Sequence, residues 1–289
     1  MSELEKIAFQ GEPGANSHIA CQEVFPDMEA MPCHTFEDAL GAIADGTARY
    51  GMIPIENSVA GRVADIHHLL PDSGLFIIGE HFLRVRHCLL GIKGARIADL
   101  REAHSHTQAL GQCRGTLRSL GIEAIAAADT AGAARAVAER GEKSHAAIAS
   151  QLAAEIYGLD ILKSDIEDED HNTTRFVVLS RERRDPAPGS SGVITSFIFR
   201  VRNVPAALYK AMGGFATNGV NITKLESYQL GGSFNATQFY ADIEGGPGDH
   251  SVQLAFEELE FFTSKFRILG AYRASPLRAS LSLAGDGAH

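Results

Sequence analysis

Through residue 180 the chain alternates short apolar runs with stretches whose apolar residues recur at helical spacing. Residues 6–10 and 50–55 read as strands, the second buried on both faces. Thr35 is placed to cap a helix whose Phe36, Ala39, Leu40 and Ile43 stand at i, i+3, i+4 and i+7. Val59, Val63, Ile66 and Leu70 make a second such stripe. Farther on, strands are expected at 102–104, 122–126 and 146–149, with helices at 107–120, 130–140 and 151–157. This alternation predicts a mostly parallel α/β sheet with sites at the C-terminal ends of its strands. The extended stretch 75–92 interrupts the rhythm. A chain that crosses there and returns near 160–170 would form two α/β lobes with a cleft between them.

Residues 181–192 are charged and then rich in Pro, Gly and Ser, without apolar periodicity, which is the pattern of an exposed linker. Beyond it the order changes to strand 193–201, helix 205–218, strands 221–230 and 235–243 around Gly231-Gly232, helix 251–263 and strand 266–272. Pro205 suits the first turn of its helix and Asn218-Gly219 its end. The order βαββαβ is ferredoxin-like. The expected division is a first domain at 5–181, a linker at 182–192 and a second domain at 193–275.

A net charge of −10 would repel a phosphate backbone, so nucleic acid is not an expected partner. No apolar run approaches the ~20 residues that span a bilayer, and the first residues lack the basic and apolar regions of a signal peptide. A cytoplasmic protein that does not use a membrane is expected. Cys21, Cys33, Cys88 and Cys113 form no CxxC pair and read as reduced thiols.

Four polar segments sit where an α/β protein places its chemistry. Gly11-Glu12-Pro13-Gly14-Ala15-Asn16-Ser17 follows the first strand and opens a helix. Its N–H groups, with Asn16 or Ser17, could hold an anion, or the segment is a plain turn with a capping Ser. Its spacing is not that of a nucleotide-binding loop. Glu56-Asn57-Ser58 ends a buried strand, as ligand-binding groups or as a paired carboxylate with helix caps. His104-Ser105-His106-Thr107-Gln108 ends another. The two His share a strand face as metal ligands do, but no third ligand has supporting spacing, and Ser105 and Thr107 also read as caps. Residues 165–170 hold five acidic side chains in six and read as a solvated loop. After them, Thr173-Thr174-Arg175-Phe176 brings two hydroxyls and a guanidinium to the start of a strand. Arg can take a carboxylate bidentately and Thr can donate to a leaving oxygen, or the segment is an ordinary β-branched strand start with a surface Arg.

Together these segments resemble bacterial prephenate dehydratase carrying a C-terminal ACT domain. The matching stretches are 7–20, 54–63, 105–113, 147–162 and 171–176, in family order across the first 181 residues. The resemblance implies a two-lobed catalytic fold similar to type II periplasmic binding proteins, with the active site in the cleft. It implies decarboxylating dehydration of prephenate to phenylpyruvate on the route to phenylalanine, without cofactor or metal. The family's Thr-Arg-Phe motif falls on Thr174-Arg175-Phe176, its hydroxyl tied to activity. Thr174 is too weak an acid to transfer its proton alone, so the catalytic pair implied is Thr174 with a relay from Glu56 or water. Asn57, Ser58, Ser105, Thr107, Gln108, Thr173, Arg175, Phe176 and Ser17 are the implied substrate contacts.

The ACT resemblance implies feedback by phenylalanine, bound between two modules through Asn203, Ala207, Leu208, Asn218, Asn221, Glu226 and Ser227, and hence a homodimer or homotetramer. Here Pro205-Ala206-Ala207-Leu208 stands for the usual Pro-Gly-Ala-Leu, and Glu226-Ser227-Tyr228-Gln229 for the usual Glu-Ser-Arg-Pro. The alternatives are arogenate dehydratase and a non-catalytic sensor of small acids or amino acids.

Overall fold

In a computed structural model the described residues are 4–169, 171–202, 204–230 and 233–278. They divide into two compact units, one within Met1–Ile66 and His81–Phe176, the other within His67–Glu80 and Val177–His289. The elements leading through the first are β1 (Lys6–Gln10), α1 (Asn16–Val24), β2 (Glu29–Cys33), α2 (Phe36–Asp45), β3 (Tyr50–Asn57), β4 (Gly61–Arg62), α3 (Ala64–Leu69), β5 (Phe76–Arg84) and β6 (Cys88–Gly91). Then come β7 (Glu102–His106), α4 (Thr107–Gln112), α5 (Arg114–Leu120), β8 (Glu123–Ala127), α6 (Thr130–Arg140), β9 (His145–Ala149), α7 (Gln151–Tyr157), β10 (Asp160–Lys163) and β11 (Thr173–Ser180).

These strands make two sheets, ordered β2-β1-β3-β11-β5, with β4 paired to β3, and β10-β6-β9-β7-β8. The chain leaves the first sheet after β5, within the stretch 75–92 expected for the crossing; residues 160–163 still belong to the second sheet as β10, and the return, expected near 160–170, comes with β11 from Thr173. In the second sheet Cys88, Leu90, Ala147 and Ala149 pack under Ala131, Ala134 and Val137 of α6. The alternate residues Leu89, Ala146 and Ile148 pack on the other side with Leu110 and Leu117 of α4 and α5. Cover on both faces explains the apolar runs 88–91 and 146–149 of β6 and β9.

Two expected helices are shorter than their stripes. The stretch 107–120 breaks at Cys113, whose φ of −111° and ψ of 14° separate α4 from α5. The acidic loop causes the break: Asp168 donates its N–H to the Gln112 carbonyl at 2.6 Å and accepts from the Gly115 N–H at 2.9 Å. A continuous helix would have used both groups itself. The acidic run is therefore a structural tie as well as a solvated loop, with Ile166 buried in its middle. In the 59–70 stripe only Ala64–Leu69 is α-helical. Val59 is exposed in a turn because the Asn57 side-chain oxygen accepts the N–H groups of Val59 and Ala60.

The second unit carries β12 (Val193–Val201), α8 (Ala207–Thr217), β13 (Ile222–Leu230), β14 (Ser233–Glu244), α9 (His250–Phe262) and β15 (Thr263–Arg273). The order βαββαβ, in an antiparallel sheet β13-β14-β12-β15, is the ferredoxin-like arrangement. Phe197, Phe199, Phe215, Phe239 and Phe256 form its core. Residues 181–192 contain no helix or strand. The segment His67–Glu80 belongs to this unit although the linker lies far beyond it in sequence. Arg267 donates to the carbonyls of Pro71 and Leu75, and Arg278 pairs with the fully covered Glu80. Gly270 lies so close to the Ile77 backbone that a Cβ there would clash with the Ile77 carbonyl oxygen. All four cysteines are buried and unpaired, and burial pushes the Cys21 thiol up to about 12.

Candidate active site

Strands β3 and β11 are neighbours in the first sheet, and their ends bring two pairs of side chains together. In one, Asn57 Nδ2 donates to Thr174 Oγ1 at 3.0 Å. In the other, Arg175 Nη1 donates to Glu56 Oε1 at 3.0 Å. Successive residues on a strand point to opposite sides, so each motif is split between the two pairs.

Asn57 has no hydrogen-bonding capacity left over. Its second amide proton goes to Asn172 Oδ1 at 2.7 Å, and its oxygen holds the Val59 and Ala60 N–H groups. Because Thr174 Oγ1 accepts from Asn57, its own proton is directed elsewhere. Asn172 in turn donates to Gln112 Oε1 at 2.8 Å, and the same oxygen meets His87 Nε2 at 2.9 Å. Gln112 Oε1 can only accept, so Nε2 is the protonated nitrogen of His87. Burial holds the His87 pKa below its ordinary value, an effect partly offset by the Gln112 hydrogen bond and the Glu167 charge. The resulting chain is Thr174–Asn57–Asn172–Gln112–His87.

Every member of this chain lines one cavity of about 250 Å³. Its other wall comes from the second sheet and its helices: His106, Gln108, Ala109, Asp129 and Thr130, with Asn16 from α1. The starts of α1, α4 and α6 thus face the same space. Helix N-termini carry partial positive charge and attract anions. Asp129 caps α6 by accepting from Gly132 N–H, whereas the residue before α1 is Ala15, which offers no side-chain cap. His106 Nδ1 accepts the Gln108 N–H at 3.3 Å, leaving Nε2 to carry the proton of the neutral ring.

The residues expected at the site divide sharply. Thr174, Asn57 and Gln108 line the cavity; Glu56, Ser58, Ser105, Thr107, Thr173, Arg175, Phe176 and Ser17 are not among its lining residues. Arg175 is 2% exposed and committed to Glu56, so the guanidinium meets a carboxylate of this chain. The same pair places Glu56 beside Arg175, in the couple that does not line the cavity. Ser58 donates to the His171 carbonyl and accepts the Thr173 N–H, which ties the β3 end to the start of β11. Ser105 donates to the Ile148 carbonyl at 2.6 Å inside the sheet. Ser17 and Phe176 are buried. Pairing His104 with His106 is not what the structure contains: the partners of His104 are Glu102 and His145. His87, Gln112 and Asn172 were not singled out from the sequence. Asn172 and Gln112 stood inside the matching stretches 171–176 and 105–113, whereas His87 had no local signal.

In the second unit, Asn203 lies outside the described residues. Ala207 and Leu208 open α8, while Asn218 and Asn221 follow its end, about 15 Å away at 1.5 Å per residue. Asn218 Nδ2 already donates to the Gly214 carbonyl and to Glu258 Oε1. Glu226 pairs with Lys224 at 3.3 Å, and Ser227 lies on β13. Among the described residues, Ala207 and Leu208 therefore stand at the other end of α8 from Asn218 and Asn221.

Residues 7–184 match the family described as prephenate dehydratase. A bifunctional N-acyl-homoserine lactone acylase/prephenate dehydratase of Komagataeibacter europaeus is 53% identical, the alignment covering 94% of this chain and 97% of that protein. An Arabidopsis thaliana arogenate dehydratase/prephenate dehydratase is 40% identical over 92% of this chain and 72% of its own length. The solved structure of Arthrobacter aurescens prephenate dehydratase in complex with L-Phe superposes with a TM-score of 0.86 at 27% identity, covering 98% of each chain.

Proposed function

The chain belongs to the prephenate dehydratase family, and we propose that it converts prephenate to phenylpyruvate, carbon dioxide and water in the cavity beside Thr174. The observation that carries this reading is the Thr174 hydroxyl, which accepts from Asn57 and so aims its proton away from Asn57 in a cavity faced by three helix starts. Prephenate is a dianion. Its carboxylates suit the helix starts and the donors of Asn16, Gln108 and His106. As the ring carboxylate leaves as CO2, its bonding electrons enter the ring and expel the hydroxyl on the opposite carbon. That oxygen needs a proton to depart as water. Thr174 stabilises the charge developing on it, and a water relays the proton from solvent. The dehydration needs no cofactor in this scheme.

The second unit is proposed as an ACT module responding to phenylalanine. The Arthrobacter aurescens relative, solved with L-Phe, supports this. So does the separation of Ala207 and Leu208 from Asn218 and Asn221, which suits a site completed by a second copy, and therefore a homodimer or larger assembly. Among the described residues no helix is long and apolar enough to cross a membrane, and a cytoplasmic location is part of the proposal.

Incubating the purified full chain with prephenate and with arogenate, while following phenylpyruvate and phenylalanine, tests the reading and separates the two substrates. Turnover of prephenate inhibited by phenylalanine is the expected result. The 53% identity to the bifunctional relative favours a second reading, amide hydrolysis of an N-acyl-homoserine lactone. Hydrolysis of that substrate by folded protein inert toward prephenate and arogenate would put this reading in place of the first.

A further inference from the structure

The N-terminal ends of β7 and β9, at the opposite end of β7 from the cavity residue His106, hold a cluster the dehydration does not use. Glu102 and His104 lie two residues apart on β7, and so on one side of it, and His145 is the register partner of Glu102 on the parallel strand β9. Their donor atoms form a nearly equilateral triangle: His104 Nε2 to His145 Nδ1 3.0 Å, Glu102 Oε2 to His104 Nε2 3.3 Å, Glu102 Oε2 to His145 Nδ1 3.2 Å. An ion with bonds of about 2.0–2.2 Å and ligand angles between octahedral and tetrahedral requires separations of about 2.9–3.4 Å. All three edges meet that requirement.

We propose that Glu102, His104 and His145 form a binding site for a divalent first-row transition ion of the Zn2+ class. Two imidazoles and one carboxylate select such an ion over Mg2+ or Ca2+, which take oxygen ligands. A second feature points the same way. The other ring nitrogen of His145, Nε2, lies 3.2 Å from Glu142 Oε2. A carboxylate there fixes the tautomer in which Nδ1 keeps its lone pair toward the triangle, as outer carboxylates do for metal-bound histidines. Exposures of 17%, 13% and 35% for His104, His145 and Glu102 leave the remaining coordination positions to water. Arg140 now fills the role of cation: its Nη1 lies 2.9 Å from His145 Nδ1 and 3.3 Å from Nε2. Arg140 is exposed at the end of α6 and can swing away as the ion enters. Bound metal would clasp β7 to β9, and no step of the dehydration passes through it.

The test is calorimetric titration of the metal-free full chain with ZnCl2, with CoCl2 followed by its visible spectrum and MgCl2 as a third arm. Saturable binding of one Zn2+ per chain and a tetrahedral or five-coordinate Co2+ spectrum are expected, with no response to Mg2+. His104→Ala and His145→Ala should each abolish the site, and an exposed-histidine control, His34→Ala, should leave it intact. Glu142→Gln should weaken it by about 10–100-fold. Arg140→Gln should tighten it by removing the competing cation, an effect a purely structural cluster would not give. His145→Asn, checked by circular dichroism, stands in if the alanine variant does not fold. Absence of saturable Zn2+ binding by the native chain would overturn the proposal. So would unchanged stoichiometry and affinity in the histidine variants. Turnover of prephenate is expected to be equal with and without Zn2+, so this result and that of the proposed activity are read independently.

Discussion

Two couples of side chains stand next to each other where β3 meets β11, and they differ in almost every physical respect. Asn57 and Thr174 are neutral, linked into a chain of amides and one imidazole, and open to a cavity. Glu56 and Arg175 are oppositely charged and face each other, with the guanidinium almost completely enclosed. A hydroxyl that must act on a ligand has to keep one hydrogen-bonding direction unsatisfied by protein. A buried charge cannot be left in that state, because the desolvation penalty is then uncompensated. The first couple is therefore suited to chemistry and the second to holding the two strands in register.

Variants can separate the two roles. The largest effect is expected at Thr174→Val, which keeps the branched shape and strand propensity while removing the hydroxyl. Turnover should fall by about 10²–10³, or ~2.7–4 kcal/mol, on the scale of one lost transition-state donor. Retention of native-like turnover would remove Thr174 from the mechanism.

A smaller effect, of a different kind, is expected at Glu56→Gln. Breaking a fully buried ion pair costs about 3–5 kcal/mol, and Glu56, with a side chain 27% exposed, should cost less than that. Urea unfolding should show a lower midpoint, with turnover per folded molecule nearly unchanged. A raised KM for prephenate at constant midpoint would instead mean that the Glu56–Arg175 couple meets the substrate.

The smallest effect concerns His87 at the end of the amide chain. Its folded pKa is depressed, so between that value and the unfolded value of about 6.5 the unfolded chain binds more protons. The stability it contributes is complete above about pH 6.5 and is lost as pH falls toward the folded pKa. His87→Gln should flatten this slope without abolishing it, since burial lowers His18 and His104 in the same direction. An identical pH dependence in the variant would show that His87 is not a neutral buried group.

Much of this arrangement was readable in the chain. The strand-helix alternation and the crossing between sheets followed from apolar periodicity, because the central strands β6 and β9 of the second sheet are covered on both faces. Thr174 was singled out through the resemblance to the family's Thr-Arg-Phe motif, since a hydroxyl at a strand start also fits an ordinary β-branched strand residue. The role of Arg175 was not, since an arginine that binds a carboxylate looks the same in sequence whether that carboxylate belongs to a ligand or to Glu56. His87 escaped notice, and Gln112 was not picked out of its matching stretch, for another reason. They join Asn172 and Asn57 through contacts spanning 25 to 115 residues, and local pattern carries no record of such pairings. The triangle of Glu102, His104 and His145 was hidden in the same way, its third member arriving 41 residues after His104.

The central claim is that Asn57 acts by aiming the Thr174 hydroxyl, having no hydrogen bond of its own left for a ligand. A double-mutant cycle of Asn57→Ala and Thr174→Val, read as kcat for prephenate, tests it most directly. The account predicts that each single change lowers kcat and that the double variant is no slower than Thr174→Val alone. Losses that multiply in the double variant would mean that Asn57 contributes to turnover independently of Thr174, and would contradict it.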